Sequence, residues 1–535
     1  MTVAPLPQLS GLLLLCLGLG ACLPQKPPAD AQAAAPQIAP PSPVDSDDTL
    51  FEREFAAMDD APAHVEATLW PQIREGFALD ADLQQKRLQT ELDWYSRHPA
   101  YMDRVMQRAE PFLHFILQET RKRNMPTEMV LLPIVESAFQ PFAYSHGRAA
   151  GIWQFIPSTG KLYGLKQNWW YDGRRDIVTS TRAALDYLQN LAVMFDGNWL
   201  HALAAYNSGP GNVKKAIRRN QQRGKPTDFW HLKLPSETRA YVPKLLALKQ
   251  IISHPERYGI SLRCIPDAPG FRQVDAGSQI DLALAAELAG VDLDTLYRYN
   301  PAYNRWATGP DGPHTLVLPV EAAERFATQL AQLPAEKRIR WTRHKIRNGE
   351  TLSHIALKYN TTVRQLRRIN NIRGNRIRAG KHLLIPVASK HHKHYALSAP
   401  QRKQATQNQR RGKNRYRIDH IVQAGESFWT IARHYKVSMH KLARWNGMAV
   451  RDKLREGQKL VVWKKGSPAR NARSHTIQKL THTVRNGDSL SRIASRYRVS
   501  INDLHRWNRI TGKYLQPGQK LRVYVDVTRQ SGDST

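Results

Sequence analysis

Along the first half of the chain, apolar residues recur at helical spacing. Between about Thr49 and Asn124, Trp70, Ile73, Phe77, Leu88, Leu92 and Trp94 fall where the apolar faces of amphipathic helices belong. Pro126-Thr127-Glu128 predicts a helix start with Thr127 as N-cap, and the helix runs Met129-Val130-Leu131-Leu132-Pro133-Ile134-Val135-Glu136-Ser137. Glu136 thus ends an almost wholly apolar segment, where burial without a partner would raise its pKa.

The second half has a different rhythm, and it repeats. His344-Lys345-Ile346-Arg347-Asn348-Gly349-Glu350-Thr351-Leu352 aligns with the segments starting at His420 and His482. Each copy continues with an Ile-Ala pair (Ile355-Ala356, Ile431-Ala432, Ile493-Ala494), an Asn (Asn370, Asn446, Asn508), a second Gly (Gly380, Gly457, Gly518) and a closing apolar run. One copy reads as an alternating strand, a Gly turn, two short helices and a closing strand. The acid and hydroxyl after the turn (Glu350-Thr351, Glu426-Ser427, Asp488-Ser489) sit where a helix N-cap belongs. This βααβ unit resembles the LysM domain, a module that binds peptidoglycan or chitin through N-acetylglucosamine chains. Aligning Asn300 with Asn370 suggests a fourth, degenerate copy before the others, without the turn glycine and packed on its neighbour. The stretches Ala388 to Tyr416 and Lys464 to Leu480 are basic and poor in apolar residues, and are expected to be mobile linkers. Lys390-His391-His392-Lys393-His394 belongs to the first of them and reads as linker, not as a metal site.

Composition sharpens the division. The 535 residues have a formal net charge of +34. Residues 331–535 hold 46 Lys and Arg against 10 Asp and Glu, so a near-neutral front half precedes a strongly basic back half. Such a half calls for a polyanion: nucleic acid, a lipid surface or an anionic wall polymer. Three cysteines, Cys16, Cys22 and Cys264, are too few for a disulfide framework. Leu12 to Ala21 is an apolar run of about half the length that spans a bilayer, as in a secretory signal peptide. Its end, Leu19-Gly20-Ala21-Cys22, resembles the lipobox of bacterial lipoproteins, although no Lys or Arg precedes the run. That resemblance implies lipidation of Cys22, and Leu23 after it implies the outer membrane, facing the periplasm. The seven prolines between Leu23 and Val44 read as a semi-rigid tether. Cys264 is expected to be a small buried apolar residue.

Downstream of Glu136-Ser137 come Ser145, then Gly151-Ile152-Trp153-Gln154-Phe155, then Ala205-Tyr206-Asn207, then Glu237-Thr238-Arg239-Ala240-Tyr241-Val242. Their order and spacing resemble the catalytic domain of the soluble-lytic-transglycosylase family, a lysozyme-like fold, and the wording around Glu136 and Gly151 is closer still to its membrane-bound members. The resemblance runs from about residue 65 to 330 and on through the LysM copies. It implies an α+β multidomain chain: a signal peptide (1–22), a tether (23–48), a mainly helical catalytic domain with an N-terminal extension (49–265), the degenerate LysM-like region (270–335), LysM units at 342–387, 418–464 and 481–525 separated by linkers (388–417, 465–480), and a tail (526–535).

The resemblance also implies the chemistry. Glu136 would be the single acid/base; Ser137, Ser145, Gln154, Tyr206, Asn207 and Tyr241 would bind substrate or orient Glu136. The reaction would cleave the β-1,4 bond between N-acetylmuramic acid and N-acetylglucosamine, leaving 1,6-anhydromuramyl ends, with no metal or cofactor. The partners would be glycan strands and the membrane, not nucleic acid, with the chain acting as a monomer. Two alternatives stay open from sequence: a non-catalytic wall-binding protein, and a hydrolytic muramidase using a second carboxylate, for which Asp172 and Asp176 are candidates. The tryptophans Trp153, Trp169, Trp170 and Trp199 are read as core.

Overall fold

The computed structural model describes residues 68–359, 361–466, 477–497, 499–508, 510 and 515–526. The signal peptide, Cys22 and the tether lie outside them. No helix among the described residues is long and apolar enough to cross a membrane.

The front half is built of helices, beginning with Leu69–Glu75, Lys86–Ser96 and Pro99–Arg121 and ending with Ser236–Ser253. They share one core, in which Leu113, Ile116, Leu131, Leu185, Leu203 and Leu245 are buried. Trp70, Ile73, Leu88 and Leu92 point into it as their spacing predicts. Trp94 does not: it is exposed and stacks on His98 one turn later. Cys264 is likewise exposed, against the expectation of burial. It follows the half-buried Arg263, while Ile265 takes the core position.

The segment before Glu136 also departs from the simple helix. Thr127–Leu131 is a 3-10 turn, and the α-helix proper spans only Leu132–Ser137. Pro133 explains the break: it lacks an N–H, and its ring opposes the carbonyl four residues earlier, so it is tolerated only in a first turn. Thr127 is not an N-cap; its hydroxyl donates to the Ile73 carbonyl (2.6 Å) and ties the segment to the first helix. Glu128 is fully buried and accepts the backbone N–H groups of Ala78 and Leu79, with Lys249 3.5 Å away.

Among the described residues four two-stranded antiparallel sheets follow, each closing one βααβ unit: Arg272–Asp275 with Thr315–Leu318, Arg340–Lys345 with His382–Val387, Arg415–Ile421 with Lys459–Lys465, and Ile477–Thr483 with Lys520–Asp526. One side chain explains how two short helices are held against so small a sheet. In every unit the recurring Asn ends the second helix, donates to the carbonyl four residues back, and both donates to and accepts from the middle of the closing strand. Asn446 does so with Leu442 and Val461, Asn370 with Leu366 and Leu384, Asn508 with Leu504 and Arg522. Asn300 makes the same three bonds with Leu296 and Val317, so the first unit shares the plan; against the sequence expectation its turn does hold a left-handed glycine, Gly277 (φ 66°), out of register with the others.

A second device recurs in the last three units. His344, His420 and His482 each lie between a Tyr hydroxyl (Tyr359, Tyr435, Tyr497; 3.0–3.1 Å) and the acid of the turn (Glu350, Glu426, Asp488; 2.8–2.9 Å). The acid therefore braces the turn from inside, while Thr351 and Ser427 cap the helix. Asn446→Ala is expected to destabilise its unit by about 3 kcal/mol, since Val461 would keep a buried N–H and C=O without partners. Scanning calorimetry of the full chain reads this as a lowered transition, and an unshifted transition would refute it.

The first unit packs on the helical half, not only on its repeat neighbour. Asp172 N–H donates to the Ala302 carbonyl and Asn304 N–H to that of Trp170, and Trp170 shares its core. Residues 388–416 overturn the expectation of a mobile linker. They carry the helix Ala399–Asn408, and Tyr395 is buried with its hydroxyl on Asp281 (2.9 Å). Ser389 N–H also reaches Asp281, Ala399 N–H the Asn304 carbonyl and Gln407 the Asn446 side chain, so several contacts together order a segment whose composition reads as solvated.

Candidate active site

Glu136 stands in the last turn of Leu132–Ser137, whose apolar first turn is buried. Ala138 and Phe139 follow with φ of 51° and 53°, and their N–H groups return to the Ile134 and Pro133 carbonyls. Two successive non-glycine residues in the left-handed region are strained, and they end the helix abruptly, directly after Glu136. Ser137 donates to the Ile152 carbonyl (2.9 Å) and so fastens the Gly151–Phe155 loop to this helix end.

That loop is shaped by Gly151. Its φ is +80°, and a Cβ there would lie 2.1 Å from the Arg174 carbonyl oxygen. Arg174 cannot yield, because its guanidinium holds Asp172 (2.8 and 2.9 Å) and the carbonyls of Arg148 and Phe155. Gln154 is itself left-handed (φ 47°), and its amide donates to the Gly151 carbonyl. Trp153 is fully buried, with its indole N–H on Thr181, and so belongs to the core as its type suggests.

Two tyrosines complete the surroundings. Tyr206 donates to the Trp153 carbonyl (2.9 Å), and Tyr241, from Ser236–Ser253, donates directly to the Glu136 carboxylate. Burial pushes the Glu136 carboxyl up to about 8; the Tyr241 hydrogen bond pulls the other way and the neighbouring charge of Glu237 adds to the rise. Burial, then the Glu136 charge, drives both phenols well above their usual range, so they act as donors. Glu136 differs sharply from Glu128 on the same segment: Glu128 has two backbone donors and a lysine, whereas Glu136 has one hydroxyl. A carboxyl held in its neutral form at neutral pH can deliver a proton.

The remaining sequence candidates are placed less directly. Asn207 accepts from Thr238 (2.8 Å) and so joins the Tyr206 helix to the Tyr241 helix. Ser145 closes a turn with Ala149 (3.0 Å), and it lines a cavity of about 540 Å³ that does not include Glu136. Neither candidate for a second carboxylate is free. Asp172 is paired with Arg174 and Arg175, which outweigh its desolvation and hold its pKa below the usual range. Asp176 caps the helix Ile177–Met194 and accepts from Tyr171. Sequence reading names Glu237 only as part of the Tyr241 motif and gives it no role; its place one turn before Tyr241 on the same helix is the signal that would have given one.

Comparison with known proteins then follows the same divisions. Residues 114–229 match the Transglycosylase SLT domain, 270–335 the "Lytic transglycosylase MltD, LysM-like domain", and 344–386, 420–463 and 482–523 the LysM domain. Glu136, Ser137, Ser145, Gln154, Tyr206 and Asn207 fall within the first match, and Tyr241 beyond it. The chain is 37% identical over 432 residues to membrane-bound lytic murein transglycosylase D of Escherichia coli K12, covering 78% of this chain and 90% of that one. It is 32% identical over 199 residues to an autolysin of Enterococcus faecalis, covering 36% of this chain and 26% of that one. Among solved structures, the 70 kDa soluble lytic transglycosylase of Escherichia coli aligns over 26% of this chain and 24% of its own, at 24% identity and a TM-score of 0.22.

Proposed function

The chain belongs to the family of membrane-bound lytic murein transglycosylase D, and from that premise we propose that Glu136 alone serves as its acid and base. The protein is a lytic transglycosylase, a lyase acting on peptidoglycan, with LysM repeats that bind it. The observation that carries the mechanism is the half-buried Glu136 carboxyl held by the Tyr241 hydroxyl, with desolvation raising its pKa. Glu136 gives its proton to the glycosidic oxygen between N-acetylmuramic acid and N-acetylglucosamine. The carboxylate left behind takes the proton of the muramyl C6 hydroxyl, whose oxygen closes on C1. The muramyl end becomes a 1,6-anhydro ring, and no water is consumed. Tyr241 orients the carboxyl and steadies its charged form between the two transfers. Ser137, Gln154 and Tyr206 hold the loop and wall around it, Asn207 supports the Tyr241 helix, and Ser145 contacts the glycan further along. The separation of roles among residues 49–265, the LysM-like region and the three LysM units belongs to the same proposal.

A hydrolytic reaction would need a second carboxylate; Asp172 and Asp176 are both committed to neighbours, which leaves Glu237, whose charge reaches Glu136, as the candidate. Mass spectrometry of digested sacculi distinguishes the two: anhydro ends are lighter by one water than reducing ends. Reducing ends as the sole new product would overturn the lyase mechanism.

The proposal extends to location. Lipid on Cys22 would anchor the protein in the outer membrane with its catalytic domain in the periplasm, as a monomer. Each buried acyl methylene contributes ~0.8 kcal/mol, so several chains on one cysteine hold firmly. A Cys22→Ser variant behind an unrelated cleavable signal is expected in the soluble fraction; its retention in membranes after a high-salt wash would refute the anchor.

A further inference from the structure

The cavity beside Ser145 lies between the helical half, the helix Ala399–Asn408 and the second LysM unit. Its walls are joined by one acid: Asp452 accepts the Tyr144 hydroxyl (3.0 Å) and the Ala449 N–H, and pairs with Arg148 (2.9 Å). Its lining is strongly cationic. Arg174, Arg175, Arg402, Lys403 and Arg444 face it, against only Asp172 and Asp452. Both acids are already engaged, Asp172 by Arg174 and Arg175 and Asp452 by the clamp. Arg174 and Arg175 share Asp172, while Arg402, Lys403 and Arg444 have no acid partner among the described residues. Among the described residues Lys403 bonds only the Met448 sulfur (3.6 Å), Arg402 lies over the Phe142 ring (4.1 Å) and bonds the Leu397 carbonyl, and Arg175, which bonds Asp172 and Asn304 through Nη1, has no partner for its buried Nε. Burial, then the charge of Arg175, disfavours the positive charge of Arg402. Arg175, Arg402 and Lys403 are half-buried, and cations in excess over anions in such a cavity favour the entry of an anion.

We propose that this cavity is a carboxylate-binding site for the peptide stems of peptidoglycan, formed jointly by the helical half, the helix Ala399–Asn408 and the second LysM unit. The inference rests on the peptidoglycan reading above. Ser145 and the Tyr144–Ala150 turn belong to the segment that leads from Glu136 to the Gly151 loop, so a glycan lying at Glu136 can direct a stem from a nearby muramyl residue towards Arg402 and Lys403. A planar guanidinium and an ammonium suit a peptide carboxylate. The catalytic half and a LysM unit would then read one strand together, the first its sugars and the pair its stems.

The test uses the full chain carrying Glu136→Gln, so that strands stay intact. Equilibrium binding is measured for soluble glycan strands bearing tetrapeptide stems and for the same strands freed of stems by an amidase. Stem-bearing strands are expected to bind about tenfold more tightly, and this ratio to approach one when Arg402→Gln and Lys403→Gln are added. Lys403→Gln alone, at the more open position, should reduce it partway, and Arg402→Lys should retain most of it. A ratio near one in the parent, or an unchanged ratio after the substitutions, overturns the proposal. So does stabilisation by inorganic phosphate without any preference for stems, which would mark a free-oxyanion site. Product analysis of the wild-type chain on the same strands stands apart: absence of anhydro ends would fault the mechanism of Glu136 and leave the binding ratio to judge the cavity.

Discussion

Purified Glu136→Gln protein releases anhydromuropeptides at least ~10²–10⁴-fold more slowly than wild type if Glu136 is the proton shuttle. The amide has the shape and polarity of the neutral acid and accepts the Tyr241 hydrogen bond, but it cannot give or take a proton. The same residue sets two pH dependences. With its pKa near 8, activity falls as pH rises through that value, because the proton donor is lost. Stability follows the same direction. The folded chain holds a proton that the unfolded chain releases above the ordinary value of 4.5. The contribution is therefore fully present below that value and lost as pH rises through about 8. Glu136→Gln removes the ionisation, so the variant should melt higher than wild type above pH 8 while remaining inactive. Wild-type turnover by the variant would sink the assignment. Inactivity with a melting temperature lowered at every pH would point to lost structure in place of lost chemistry.

Gly151→Ala is expected to abolish turnover and to destabilise the helical half by roughly 2–4 kcal/mol, from the left-handed strain and the overpacking combined. The new methyl would meet the Arg174 carbonyl at 2.1 Å. Relief requires moving either Arg174, which is fixed by Asp172 and two carbonyls, or the loop carrying Trp153 and Gln154. The second movement would displace the Trp153 carbonyl that Tyr206 grips and the Ile152 carbonyl that Ser137 grips. Thermal melting and product release are measured together, and a variant matching wild type in both would show that the loop tolerates a side chain.

Patterns of short range were legible. The helical spacing of Leu88 and Leu92, the turn glycines and the recurring Asn are local, because the periods of helix and strand and the reach of one amide are properties of a few adjacent residues. They were enough to place four βααβ units, including the degenerate one, since Asn300 bonds its closing strand as Asn370 does in its copy. Where a local rule met a stronger one it failed: Thr127 looked like a cap, but Pro133 forces the helix to restart at Leu132.

What the tertiary structure decided depends on distance through space. The elevated pKa of Glu136 needs the burial supplied by several helices and a tyrosine 105 residues away. Composition described residues 388–416 as solvated, yet Tyr395 finds Asp281 and Gln407 finds Asn446. Tyr144 meets Asp452 across 308 residues, and that contact helps close a cavity no spacing rule could have announced. The sequence by itself thus determined which residues could carry chemistry and which units repeat, because those follow from residue type and period. Which carboxylate stays neutral, which cations gather round one cavity and which unit docks on which were settled only by packing, because desolvation and charge pairing depend on every neighbour the fold brings near.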